Sequence, residues 1–169
     1  MDPVIEALKP EHILIARSLF KEYADSIGVD LWFQGFAEEL EGLPGKYSPP
    51  GGGLFIAFID DNPAGCVAIR PLESGSIAEL KRLYVRPAAR GRQLGLTLTR
   101  KAIARAREVE YRVIRLDTLP SMTDAQRLYR SLGFREIPPY TFNPVPGAVY
   151  MELDLQAGKT NVTLPPLRT

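Results

Sequence analysis

Apolar residues change their spacing several times along the chain, and each change marks a predicted element. Val4 to Leu8 is a short apolar run and reads as a first strand. Pro10 opens a helical pattern in which Ile13, Ala16, Leu19, Phe20 and Tyr23 share one face, and Gly28 breaks it. Leu31 to Leu43 reads as a second helix. Its apolar face holds Phe33, Phe36, Ala37 and Leu40, and Glu38, Glu39 and Glu41 form a solvated face. The Pro/Gly-rich stretch from Leu43 to Gly53 is a loop. Strands follow at Leu54–Ile59, Ala64–Arg70 and Ile77–Val85, joined by turns at Asp60–Pro63 and Pro71–Ser76.

From Gly91 to about Val109 the period returns to that of a helix, with Leu94, Leu98, Ala102, Ala106 and Val109 as its stripe. Val113 to Asp117 is a strand. A strand, a long helix and a strand form a crossover, so the strands ending near Val85 and Asp117 should be parallel neighbours. Thr123 is the expected N-cap of the next helix, with Gln126 completing a capping box. Gly133 closes that helix after Ala125, Leu128, Tyr129 and Leu132. Phe134–Ile137 and Ala148–Leu155 read as the last strands, on either side of a Pro-rich loop. The pattern predicts one α+β domain over residues 1–155. Its sheet is mostly antiparallel with one parallel pair, and about four helices flank it. Residues 156–169 read as a polar tail or peripheral arm.

Composition narrows the function classes. The 169 residues carry a formal net charge of +1, which gives no reason to expect nucleic acid or a membrane surface as partner. Cys66 is the only cysteine, so no internal disulfide forms, in keeping with a reducing compartment. It sits in an apolar strand and reads as a small buried residue. The first residues lack a basic and then apolar leader pattern, and no apolar run is long enough to span a bilayer. A cytoplasmic location is expected. No cluster of His, Cys and carboxylates suggests a metal, and His12, the only histidine, reads as a helix-surface residue.

The candidate chemistry lies between Ala78 and Gly95. An apolar strand ends at Val85, and the turn Arg90-Gly91-Arg92-Gln93-Leu94-Gly95 leads into the long helix. Backbone N–H groups of such a turn and the positive end of the helix dipole point the same way, which makes an anion site. Two arginines oppose the dipole there unless an anion is bound. The pattern is neither a dinucleotide fingerprint nor a Walker A loop.

This order of elements, the turn, and Ala125-x-x-x-Tyr129-x-x-x-Gly133-Phe134 resemble the GCN5-related N-acetyltransferase (GNAT) family over roughly Leu54 to Leu155. Gln93 stands where the family's turn usually has its inner glycine, and Met122 stands where relatives commonly carry an Asn. The resemblance implies acetyl-CoA as co-substrate. Its pyrophosphate would lie on Arg90, Gly91, Arg92, Gln93, Leu94 and Gly95. Its pantetheine arm would run along Leu83, Tyr84 and Val85, between splayed strands, with Asp117 and Thr118 ending the second strand. Tyr129 is similar to the family's acid for the leaving thiolate, and Glu79 to a base acting through water. The acceptor is expected to be a small amine or amino-acid-like molecule, with Trp32, Phe33, Arg70 and Tyr140 as candidate contacts. Arg82 is a second candidate for an acceptor carboxylate. Two other readings remain open: a non-catalytic acyl-CoA sensor, and an acyltransferase with a longer donor. Relatives are often dimers, so a homodimer is also open.

Overall fold

A computed structural model describes residues 2–72 and 75–156. The tail expected from Gln156 onward lies, beyond Gln156 itself, outside the described residues. Seven strands form one sheet: β1 (Val4–Ala7), β2 (Gly53–Ile59), β3 (Asn62–Pro71), β4 (Ile77–Val85), β5 (Val113–Thr118), β6 (Arg135–Ile137) and β7 (Val149–Asp154). Their order across the sheet is β1-β2-β3-β4-β5-β7-β6. Only β4 and β5 are parallel, as the crossover demands.

Helices cover both faces. α1 (Ile13–Ile27) and α2 (Phe36–Glu41) lie on one, α3 (Leu94–Glu108) and α4 (Thr123–Ser131) on the other. Leu94, Leu98, Thr99, Ala102 and Ala106 bury the predicted stripe of α3 against Val67, Ile69, Ala78 and Leu80. Ala16, Leu19 and Phe20 of α1 pack on Ile56, Cys66 and Ala68 across the sheet. His12 tilts against Phe58 with ring centroids 5.3 Å apart, at the start of α1.

Three local expectations fail for local reasons. The helix expected over Leu31–Leu43 is two pieces: a 3-10 turn at Leu31–Gln34, then α2. Gly35 sits between them at φ 67°, in the left-handed region that ends helices. The α3 helix starts at Leu94 and not at Gly91, because Gly91 and Gln93 have φ of 82° and 57°. The capping box at Thr123 does not form. Met122 is the N-cap, and the Gln126 amide donates to the Leu119 carbonyl at 2.8 Å instead.

Gly65 fixes how closely β3 approaches the end of β4. A Cβ there would stand 2.5 Å from the Tyr84 carbonyl oxygen and 3.3 Å from the Val85 Cα. The obstacle is backbone, which cannot swing aside. Gly65→Ala is expected to destabilise the fold by about 1–3 kcal/mol, read in urea melts.

Candidate active site

β4 and β5 are hydrogen-bonded only where Ile77–Glu79 meets Val113–Arg115. Beyond that, Leu80–Val85 and Leu116–Thr118 diverge and leave a gap between two parallel strands. A bulge in β4 accompanies the divergence. Ala68 faces Lys81 and Cys66 faces Tyr84, so Val67 stands opposite both Arg82 and Leu83. Arg82 takes φ 60°. An extra residue of this kind bends its strand and breaks the ladder locally.

The Arg82 side chain holds the bulge in place. It is only 3% exposed. Nε and Nη2 donate to the Glu39 carboxylate at 2.9 and 3.0 Å, and Nη1 donates to Gln34 Oε1 at 2.8 Å. The guanidinium also lies over the Tyr23 and Phe36 rings, 5.7 and 5.1 Å from their centroids. Glu39 therefore does not belong to the solvated face expected of it, whereas Glu38 and Glu41 do. Arg82, fully engaged with Glu39 and Gln34, has no edge left for an acceptor. Cys66 is buried as expected, and its thiol donates to the Arg82 carbonyl at 3.3 Å. Burial pushes that thiol far up in pKa, which rules it out as a nucleophile.

On one side of the gap lies a cleft of about 620 Å³. Leu83, Tyr84, Val85, Arg90, Gly91, Gln93, Leu94 and Gly95 line it, with Ser121–Ala125 and Leu128 opposite. Arg92 is exposed and is not among its lining residues. Among the described residues, the N–H groups of residues 91–96 have no acceptor in the protein. The cradle therefore fits a pyrophosphate. Gln93 holds φ 57° at the cost of crowding its own Cβ, where a glycine would be unstrained. Gln93→Gly is expected to leave this cradle intact and to raise stability by about 1 kcal/mol, measured as a higher Tm.

On the other side lies a small cavity of about 30 Å³. Tyr129, Asp117, Thr118 and Lys81 line it, beneath Tyr23, Phe33 and Asn143. Tyr23, Ile27, Leu83 and Met122 border both spaces, so the cleft and the cavity meet at the gap. Tyr129 packs on Phe134, with centroids 5.5 Å apart, and its hydroxyl has no partner among the described residues. Burial, then the nearby Tyr23 and Asp117, push its pKa far above the ordinary phenol value. Asp117 accepts from the Asn143 amide at 3.0 Å. The side chains of Asp117 and Thr118 border the cavity and not the cleft.

Glu79 sits apart from Tyr129, at the last hydrogen-bonded pair of β4 and β5. It is 1% exposed. Arg70 donates through Nε at 2.9 Å and pairs through Nη2 at 2.8 Å, both to Oε1, and the Tyr140 hydroxyl donates to Oε2 at 2.6 Å. Burial works to raise the Glu79 pKa. The Lys81 charge, the Tyr140 hydrogen bond and Arg70 outweigh it, so the carboxyl lies below its ordinary value. Arg70 and Tyr140 thus gather round Glu79. Phe33 borders the cavity, while Trp32 is 70% exposed beside it.

Lys81 is the cavity residue that sequence reasoning missed. Its side chain is 6% exposed and its ammonium donates to Gln34 Oε1 at 2.8 Å. Burial draws its pKa down, and the opposing pull of Glu79 does not cancel this. Strand alternation from Glu79 would have placed it on the same face.

The comparisons with known proteins agree with this geometry. Residues 16–134 match the model of the acetyltransferase (GNAT) family. An uncharacterised N-acetyltransferase of Schizosaccharomyces pombe is 40% identical over 153 residues, covering 89% of this chain and 94% of its own. A GNAT-family acetyltransferase structure from Staphylococcus aureus superposes with a TM-score of 0.76 at 22% identity, covering 91% of this chain and 99% of its own. A PaiA N-acetyltransferase from Thermoplasma acidophilum, solved in complex with coenzyme A, superposes at 0.69 with 21% identity, covering 91% and 99%. A turn of free N–H groups, a strand pair parted at a bulge and a match over most of the length lead to one conclusion: the chain belongs to the acetyltransferase (GNAT) family.

Proposed function

We propose that the protein transfers an acetyl group from acetyl-CoA to a primary amine by direct attack. The observation that carries this reading is the meeting of the cleft and the cavity at the gap, with the unpartnered Tyr129 hydroxyl beside it. The turn at residues 90–95 would hold the pyrophosphate, and Leu83–Val85 would pair with the arm as an added strand does. Acetyl-CoA supplies an activated acyl group. The amine nitrogen bonds to the acyl carbon, the carbon–sulfur bond breaks, and the Tyr129 proton passes to the departing sulfur. The nitrogen gives up its own proton to solvent or a base.

Asp117 is the carboxylate that borders the same cavity as Tyr129, so it is the group that would draw an ammonium in. Glu79 is held by Arg70 and Tyr140 and kept ionised. We assign it to positioning, and not to the base role that the family resemblance implies.

Calorimetry with acetyl-CoA, followed by thiol release against an amine panel, tests the reading. Binding together with turnover supports it. Binding with no turnover on any amine would replace it with an acyl-CoA sensor. No helix among the described residues is long and apolar enough to cross a membrane.

A further inference from the structure

One row of side chains runs in register across five strands with alternating charge: Arg70, Glu79, Arg115, Glu152 and Arg135. At the Arg70–Glu79–Arg115 end a pocket of about 400 Å³ opens, with Lys46, Tyr140 and Thr141 on its walls. Among the described residues, cations are in excess here. Both oxygens of Glu79, the pocket's one carboxylate among the described residues, are already used by Arg70 and Tyr140. Arg115 uses only Nε, donating to Glu152 at 2.7 Å, and its guanidinium lies over Tyr140, 5.6 Å from the ring centroid. Among the described residues, Arg70 Nη1, both Nη groups of Arg115 and the exposed Lys46 ammonium have no partner. Three cations from three parts of the chain therefore present free donors to one concave space. Guanidinium edges of this kind match a carboxylate.

The pocket shares no lining residue with the cavity and adjoins it only along the strands β4 and β5. Arg115 and Asp117 lie two residues apart on one face of β5, as Glu79 and Lys81 do on β4. That repeat is about 7 Å, longer than the amine–carboxylate spacing within an α-amino acid.

We propose that this pocket selects the acceptor: an amine whose carboxylate lies several bonds from the nucleophilic nitrogen. The nitrogen enters the cavity at Asp117, and the carboxylate rests on Arg70, Arg115 and Lys46. This rests on the reading of the cavity as the amine site. The test compares 5-aminopentanoate with pentylamine and with 4-aminobutylphosphonate, using kcat/KM and, separately, calorimetric binding to the full chain with coenzyme A present. The carboxylate should be preferred over the neutral amine by about tenfold or more. Lys46→Glu and Arg115→Met should collapse that ratio, while Lys46→Arg retains it. Thermal melts of each variant separate loss of fold from loss of preference. Equal use of the neutral amine, a ratio untouched in folded variants, or a tenfold preference for the phosphonate would overturn the proposal. If no amine is acetylated, the binding arm still decides it: 5-aminopentanoate that binds the parent chain and not Lys46→Glu supports the pocket although the enzyme reading has failed. Absence of binding sinks it.

Discussion

Tyr129→Phe is expected to lower kcat by about two to three orders of magnitude while acetyl-CoA still binds within about twofold. The change removes one oxygen and keeps the ring, so the packing on Phe134 survives. That oxygen borders the cavity and donates to no protein group among the described residues, so its loss orphans no buried acceptor. The effect should fall on the chemical step and not on stability, and single-turnover kinetics would separate the two. The pH dependence follows from the direction of the pKa shift. Burial keeps the Tyr129 phenol protonated well above pH 10, so it stays a competent donor across the working range. An incoming amine is protonated at neutral pH, so kcat/KM should climb with pH toward the amine pKa. A fall set by tyrosine ionisation should not appear below about pH 10. A parent enzyme losing activity between pH 7 and 9, or Tyr129→Phe turning over at the parent rate, would remove Tyr129 as the acid.

The largest expected effect on stability comes from Arg82. Arg82→Met should cost about 3–5 kcal/mol, because it leaves the half-buried Glu39 carboxylate with Tyr47 alone as partner. At this chain length that is a fall in Tm of about 10 °C or more. The double variant Arg82→Met, Glu39→Gln removes the uncompensated charge as well, and should recover a good part of the loss. A double-mutant cycle reads the coupling directly. Additive effects of the two substitutions would show that the pair does not anchor the bulge. Activity should suffer along with stability, because the same arginine sits at the bulge beside which β4 and β5 part.

Much of this molecule was legible in the chain. The order of elements, the parallel pair, the buried stripe of α3 and the left-handed turn closed by Gly133 all follow from spacing and turn chemistry over a few residues. The turn at residues 90–95 was legible for the same reason: a strand end, glycines and a helix start are adjacent in sequence. The buried place of Tyr129 on α4 was legible from the apolar spacing of its neighbours on that helix. Glu39 was misread because its helix offers no hint of an arginine 43 residues away. The break at Gly35 was hidden by apolar spacing that continues across it. Lys81 was not legible because a lysine in a strand ordinarily faces water, and its burial rests on Gln34 from another element together with the Glu79 carboxylate 3.9 Å away.

The sequence by itself determined the architecture and the place of the turn at residues 90–95, since helix and strand periods and turn residues act locally and set which faces must be buried. Only the tertiary structure decided the rest. It set where β4 leaves β5, that Glu39 turns inward, that Asp117 and Tyr129 share a cavity, and that free cations gather beside Glu79. Each of these depends on register and on charges that meet across long stretches of chain, where a buried ion must find its partner or unfold the segment that carries it.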